Sequence, residues 1–178
     1  MSGRRRTALV TLACAVCAVG CNQPEPAAQT VRVQAAIVQL LPLQGRTASG
    51  ILDLSPIGGG LAVEGELQGL RGELYELRAH RLGDCTDPRG RSAGEEYAFN
   101  DPVTGRDVDG SMVTIESNPS GEVTVSGRFR GGRLSGALSL RGRSVVLHRI
   151  DREEDGSVID TRVACGVVGI AREGDSAG

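Results

Sequence analysis

The sequence predicts an all-β domain, an antiparallel sandwich or barrel. Three observations carry this expectation. Short apolar runs alternate with polar residues at a period of two: Leu61, Val63, Gly65 and Leu67 fall on one side, Ala62, Glu64 and Glu66 on the other. That is the pattern of a strand with one buried face. Turn-forming clusters separate the runs, namely Gly58-Gly59-Gly60, Asn118-Pro119-Ser120-Gly121 and Gly131-Gly132, where the chain must reverse. No stretch sustains a helical period. The 26 glycines among 178 residues, without a collagen repeat, agree with many turns and few helices.

Taken in order, the expected strands are residues 31–38, 49–54, 61–67, 74–82, 112–116, 123–129, 134–140, 144–150 and 164–171. The run at 123–129 alternates cleanly, with Val123, Val125, Gly127 and Phe129 opposing Glu122, Thr124, Ser126 and Arg128. In the run at 74–82, Leu77 and Ala79 are expected to face the core. Two stretches interrupt the rhythm and read as irregular loops, 85–111 and 151–161. Long loops in a compact β domain commonly carry function.

The first 20 residues read as a signal peptide, with Arg4-Arg5-Arg6 preceding a small, apolar run from Thr7 to Gly20. That run is shorter than the roughly 20 apolar residues of a membrane span. It ends in Ala18-Val19-Gly20-Cys21, which resembles a bacterial lipoprotein box. Lipidation is then expected on Cys21, and several acyl chains together give stable anchoring. An ordinary secretory signal is the alternative. Residues 21–30 form the lipidated cysteine and a Pro- and Gln-rich tether, 31–172 the folded domain and 173–178 a flexible tail. Asn22, rather than Asp, follows Cys21. This favours the periplasmic or outer-membrane face of the envelope.

Composition excludes some partners. The net charge is -2 and aromatic residues make up 2% of the chain, so neither a basic footprint nor a stacking platform for nucleic acid exists. Export also orders the cysteines. Cys14 and Cys17 leave with the signal and Cys21 carries lipid, so Cys85 and Cys165 remain. In an oxidising compartment they are a natural pair, with two buried free thiols as the alternative.

Several motifs, in order, resemble the copper/zinc superoxide dismutases. They are Leu77-Arg78-Ala79-His80-Arg81-Leu82-Gly83-Asp84-Cys85, then Ser92-Ala93-Gly94, then Gly142-Arg143-Ser144-Val145-Val146-Leu147-His148, and last Arg162-Val163-Ala164-Cys165-Gly166-Val167-Val168-Gly169-Ile170-Ala171. The resemblance runs from about Ser49 to Ala171. It implies an eight-stranded Greek-key β-barrel with a Cys85–Cys165 disulfide. It also implies that His80 and His148 occupy two of the family's four copper-histidine positions. Arg162 matches the family arginine that draws the superoxide anion toward copper, or else braces a loop through carbonyl oxygens.

The expected site departs from that pattern. Arg78 stands where the first copper histidine belongs, and a guanidinium has no lone pair to offer a metal. The bridging histidine falls near Glu96 or Ala98, so Glu96 is the candidate oxygen ligand. Asp109 matches the zinc aspartate, yet no histidine remains to join it, and zinc needs four ligands or three plus water. The expectation is therefore a domain that requires no cofactor, with copper at His80 and His148 as its one candidate metal. It would be a non-catalytic binding or structural module, with a divergent copper-only dismutase or a copper-binding protein as alternatives. Its expected partners are a membrane, reached through the lipid, and a second copy in a homodimer. No protein partner can be named from sequence.

Overall fold

A computed structural model of the chain describes residues 35–71, 74–100, 107–108 and 112–171. The signal segment, Cys21, the tether, Asp109 and the tail lie outside the described residues, as does the start of the first expected strand. The strands are β1 (Ala36–Pro42), β2 (Ser49–Ile57), β3 (Gly60–Gln68), β4 (Leu74–His80), β5 (Phe99–Asn100), β6 (Asp107–Val108), β7 (Met112–Glu116), β8 (Val123–Arg130), β9 (Ser144–Arg152) and β10 (Val158–Ile170). Eight of them form one antiparallel sheet in the order β7-β4-β9-β10-β1-β2-β3-β8. The consecutive strands β7 and β8 lie at its two ends and face each other, so the sheet curls into a nearly closed barrel. β3 connects to β4 across β8 and β7, and β8 connects to β9 across β7 and β4. These crossings are the Greek key. β5 and β6 form a separate two-stranded ladder.

The alternation seen in the sequence is what closes the core. Val38, Leu52, Val63, Leu77, Phe129 and Leu147 are fully buried inside the barrel. At the seam Gly127 allows β8 to approach β7: a Cβ there would lie 2.3 Å from Val113 Cγ1.

Three expectations are corrected. Within the described residues the first strand continues past residue 38 to Pro42, because Leu40 extends the buried alternation of Ala36 and Val38. Residues 134–140 form no strand. Leu134 and Leu140 are buried, but Gly136 between them takes φ +81, and Ser139 N–H donates to Gly136 O at 3.1 Å. The apolar spacing there marks two plugs in a crossing loop. Residues 151–161 are mostly strand: β9 and β10 meet in a hairpin whose turn is closed by Glu153 N–H to Ser157 O at 2.9 Å. Both faces of the hairpin's tip are solvated, so no apolar alternation announced it.

Candidate functional site

The period of two that buries Tyr75, Leu77 and Ala79 turns Glu76, Arg78 and His80 to the outside of the barrel. The register then selects their neighbours. Glu76 lies opposite His148 and Arg78 opposite Val146 on β9, and His148 lies opposite Arg162 on β10. A bulge follows. Arg162 pairs with His148 but Ala164 pairs with Leu147, leaving Val163 as the extra residue. Bulges re-aim side chains. Here the bulge puts Arg162 and Cys165, three positions apart, on the same outer face.

The loop after β4 covers that face. Cys85 is joined to Cys165 in a disulfide spanning 80 residues, as the resemblance implies. Beneath it, Leu43, Ala93 and Val146 pack with the two cysteines as a second small core. Hydrogen bonds hold the loop down: Ser144 Oγ to Leu82 O at 2.7 Å and Arg143 Nη1 to Arg81 O at 2.7 Å. The Arg143 guanidinium also lies 3.9 Å from the centre of the Tyr97 ring, a cation–π contact.

Under this cover His80 and His148 are buried, with 0% and 3% of their surface exposed. Their rings stack nearly parallel, 10° apart, and their Nε2 atoms are 3.1 Å apart. His80 Nδ1 lies 3.0 Å from Gly94 O. A carbonyl only accepts, so this nitrogen carries the hydrogen. His148 Nδ1 lies 2.7 Å from Asp160 Oδ1. Burial would raise the Asp160 pKa, but the His148 bond and the Arg78 charge outweigh it and keep the carboxylate ionised. His148 Nδ1 is therefore also the donor. Burial pushes His80 down to about 4 and holds His148 below the ordinary histidine range. In the neutral pair, two bare Nε2 lone pairs face each other with no hydrogen between them.

Arg78 lies beside this pair and is the hub of the charges. Its Nε donates to Glu76 Oε2 at 2.9 Å, and its Nη2 bonds the same carboxylate. Its Nη1 donates to Glu96 Oε1 at 2.6 Å and to Asp160 Oδ2 at 2.7 Å. Burial opposes its charge, but these three carboxylates raise its pKa above the ordinary arginine value. Glu96, the expected oxygen ligand, is thus engaged by a guanidinium. Arg162 donates Nη1 to Gly90 O at 2.6 Å and Nη2 to Gly94 O at 3.0 Å, which braces the loop. Gly94 O accepts from both Arg162 and His80. Two guanidiniums and three carboxylates leave one net negative charge around the imidazole pair.

Glu76 and Asp160 were missed in the sequence. Glu76, Arg78 and His80 alternate on one strand face, a signal that could have grouped them. Asp160 gave none, because its stretch read as loop. Among the described residues, no group of three or more His, Cys, Asp or Glu converges as a metal cluster. Among the described residues, the donors of a two-metal copper/zinc centre are therefore not brought together. The imidazole pair alone offers two nitrogen donors.

No family model matches the chain. Two relatives do. The chain is 27% identical over 137 residues to an extracellular superoxide dismutase (Cu-Zn) of Caenorhabditis elegans, a match covering 70% of this chain and 62% of that protein. It is 30% identical over 148 residues to a superoxide dismutase (Cu-Zn) of Onchocerca volvulus, covering 72% of this chain and 92% of that protein. The chain thus spans less than two thirds of the first relative and nearly all of the second. With its Greek-key barrel and its loop-to-strand disulfide, the chain belongs to the copper/zinc superoxide dismutase family.

Proposed function

We propose that this chain is a superoxide dismutase-like domain that does not dismutate superoxide and serves the cell envelope as a binding or structural module. One observation carries the reading: the guanidinium of Arg78, the residue that the resemblance sets at a copper-ligand position, is bonded to Glu76, Glu96 and Asp160. Copper that cycles between oxidation states is served by several imidazoles, and here a fixed cation stands in place of one. The test is direct. The purified protein, incubated with copper and freed of excess metal, is expected to consume superoxide no faster than the chelator-treated control. Turnover like that of a four-histidine enzyme would sink the proposal.

A second reading rests on the facing imidazoles. Their bare Nε2 atoms suit one soft, two-coordinate cation such as Cu(I), which would make the chain a copper-binding protein or a divergent copper-only dismutase with Arg162 steering the anion. With metal–imidazole bonds of about 2 Å, the pair would have to part by about 1 Å from its 3.1 Å contact. Titration with Cu(I) would then show one site, lost in the His80→Ala, His148→Ala variant.

Localisation belongs to the same proposal. The lipoprotein-like box supports anchoring through Cys21, and the extracellular C. elegans relative supports export. Exposed Leu41, Ile51 and Val167 on the adjoining strands β1, β2 and β10 favour a homodimer.

A further inference from the structure

We propose that Arg78 is a resident cation: its guanidinium occupies a carboxylate cage beside the imidazole pair, does the ordering work of a bound metal, and keeps divalent ions out. This deepens the non-catalytic reading and rests on it.

The cage is built from parts distant in sequence. Glu76 comes from β4, Glu96 from the end of the covering loop and Asp160 from β10. Carboxylates gathered this closely repel one another unless a cation lies among them. Arg78 supplies that cation with four N–H donors in one plane, a fork geometry suited to several oxygens at once. Through Glu96 it ties the loop to the barrel. Through Asp160 it sets the carboxylate that fixes the His148 tautomer. These are the tasks a metal ion performs when it gathers ligands from separate elements.

Charge supplies the selectivity. With Arg78 in place the guanidinium fills the space among the oxygens, engages their lone pairs, and sets a positive charge where a divalent ion would have to lie. Removing its charge leaves two net negative charges and frees the Glu76, Glu96 and Asp160 carboxylates, which with Arg78 in place form no metal cluster. Carboxylate oxygens at that charge attract a divalent cation.

The experiment uses the full-length protein and zinc as the probe. In the wild type, thermal unfolding is expected to be the same with EDTA or with equimolar Zn²⁺, and calorimetry to detect no stoichiometric zinc. Arg78→Met keeps the length and removes the charge. It should unfold at a lower temperature in EDTA, regain stability with zinc, and bind one zinc ion at least about tenfold more tightly than the wild type. Arg78→Lys restores a charge and should stay insensitive to zinc. Stoichiometric zinc in the wild type overturns the proposal, as does a folded Arg78→Met that gains none. Should Arg78→Met fail to fold with or without zinc, Arg78→Lys decides. A folded, zinc-insensitive Arg78→Lys supports the resident charge, and an equally unfolded one refutes it. Superoxide consumption by the copper-treated wild type would refute the non-catalytic reading separately, since zinc binding does not enter that assay.

Discussion

His80 and His148 hold their imidazoles neutral because both Nδ1 hydrogens are committed and both rings are buried. This makes stability depend on pH. The folded His80 pKa lies at about 4, below the unfolded value of about 6.5. Between those values the unfolded chain binds more protons than the folded one, so stability falls as pH drops through that window. Above it, neither state binds the proton and the term vanishes. For chelator-treated protein the expected loss between pH 7 and pH 4 from this group is ~3 kcal/mol. Urea unfolding across that range checks it. The His80→Asn variant should show a flatter profile, and an unchanged slope would count against the buried neutral imidazole.

At the scale of elements, the loop following β4 is what turns an outer sheet face into an interior. It is pinned at the Cys85–Cys165 bridge, held by Arg143 and Arg162, and seated on Leu43 and Val146. The bridge closes a span of 80 residues, and restricting the unfolded chain over that length is worth about 4 kcal/mol. Replacing both cysteines, Cys85→Ser with Cys165→Ser, should therefore lower the unfolding free energy by roughly that amount. Amide exchange of Leu82 and Gly94 should speed up before that of the barrel strands, because the loop loses its pin while the sheet keeps its ladders. Uniform acceleration across the molecule would show that loop and barrel unfold as one unit.

At the scale of the molecule, the barrel closes by packing at one seam and by hydrogen bonds elsewhere. β7 and β8 end the hydrogen-bonded order, and Gly127 lets them meet where a Cβ would strike Val113. Overpacking such a contact costs about 1–3 kcal/mol. Gly127→Ala is expected to destabilise by that amount in urea unfolding, with the fastest new amide exchange in β7 and β8. No change in stability would mean that the seam yields freely.

The sequence by itself determined the fold class, most of the strands and the participants of the disulfide, because a buried strand face writes its period into the chain and few cysteines remained to pair. It also carried the family resemblance, which implies that Arg78 stands where a ligand would. Only the tertiary structure decided what Arg78 does. Its partners come from three separate elements, and Asp160 joined them because residues that read as a polar loop fold into a strand beside β9. Likewise, the facing Nε2 atoms depend on which hydrogen bonds each Nδ1 makes. A side chain's protonation and partners are set by neighbours the register delivers, and register is a property of the folded sheet.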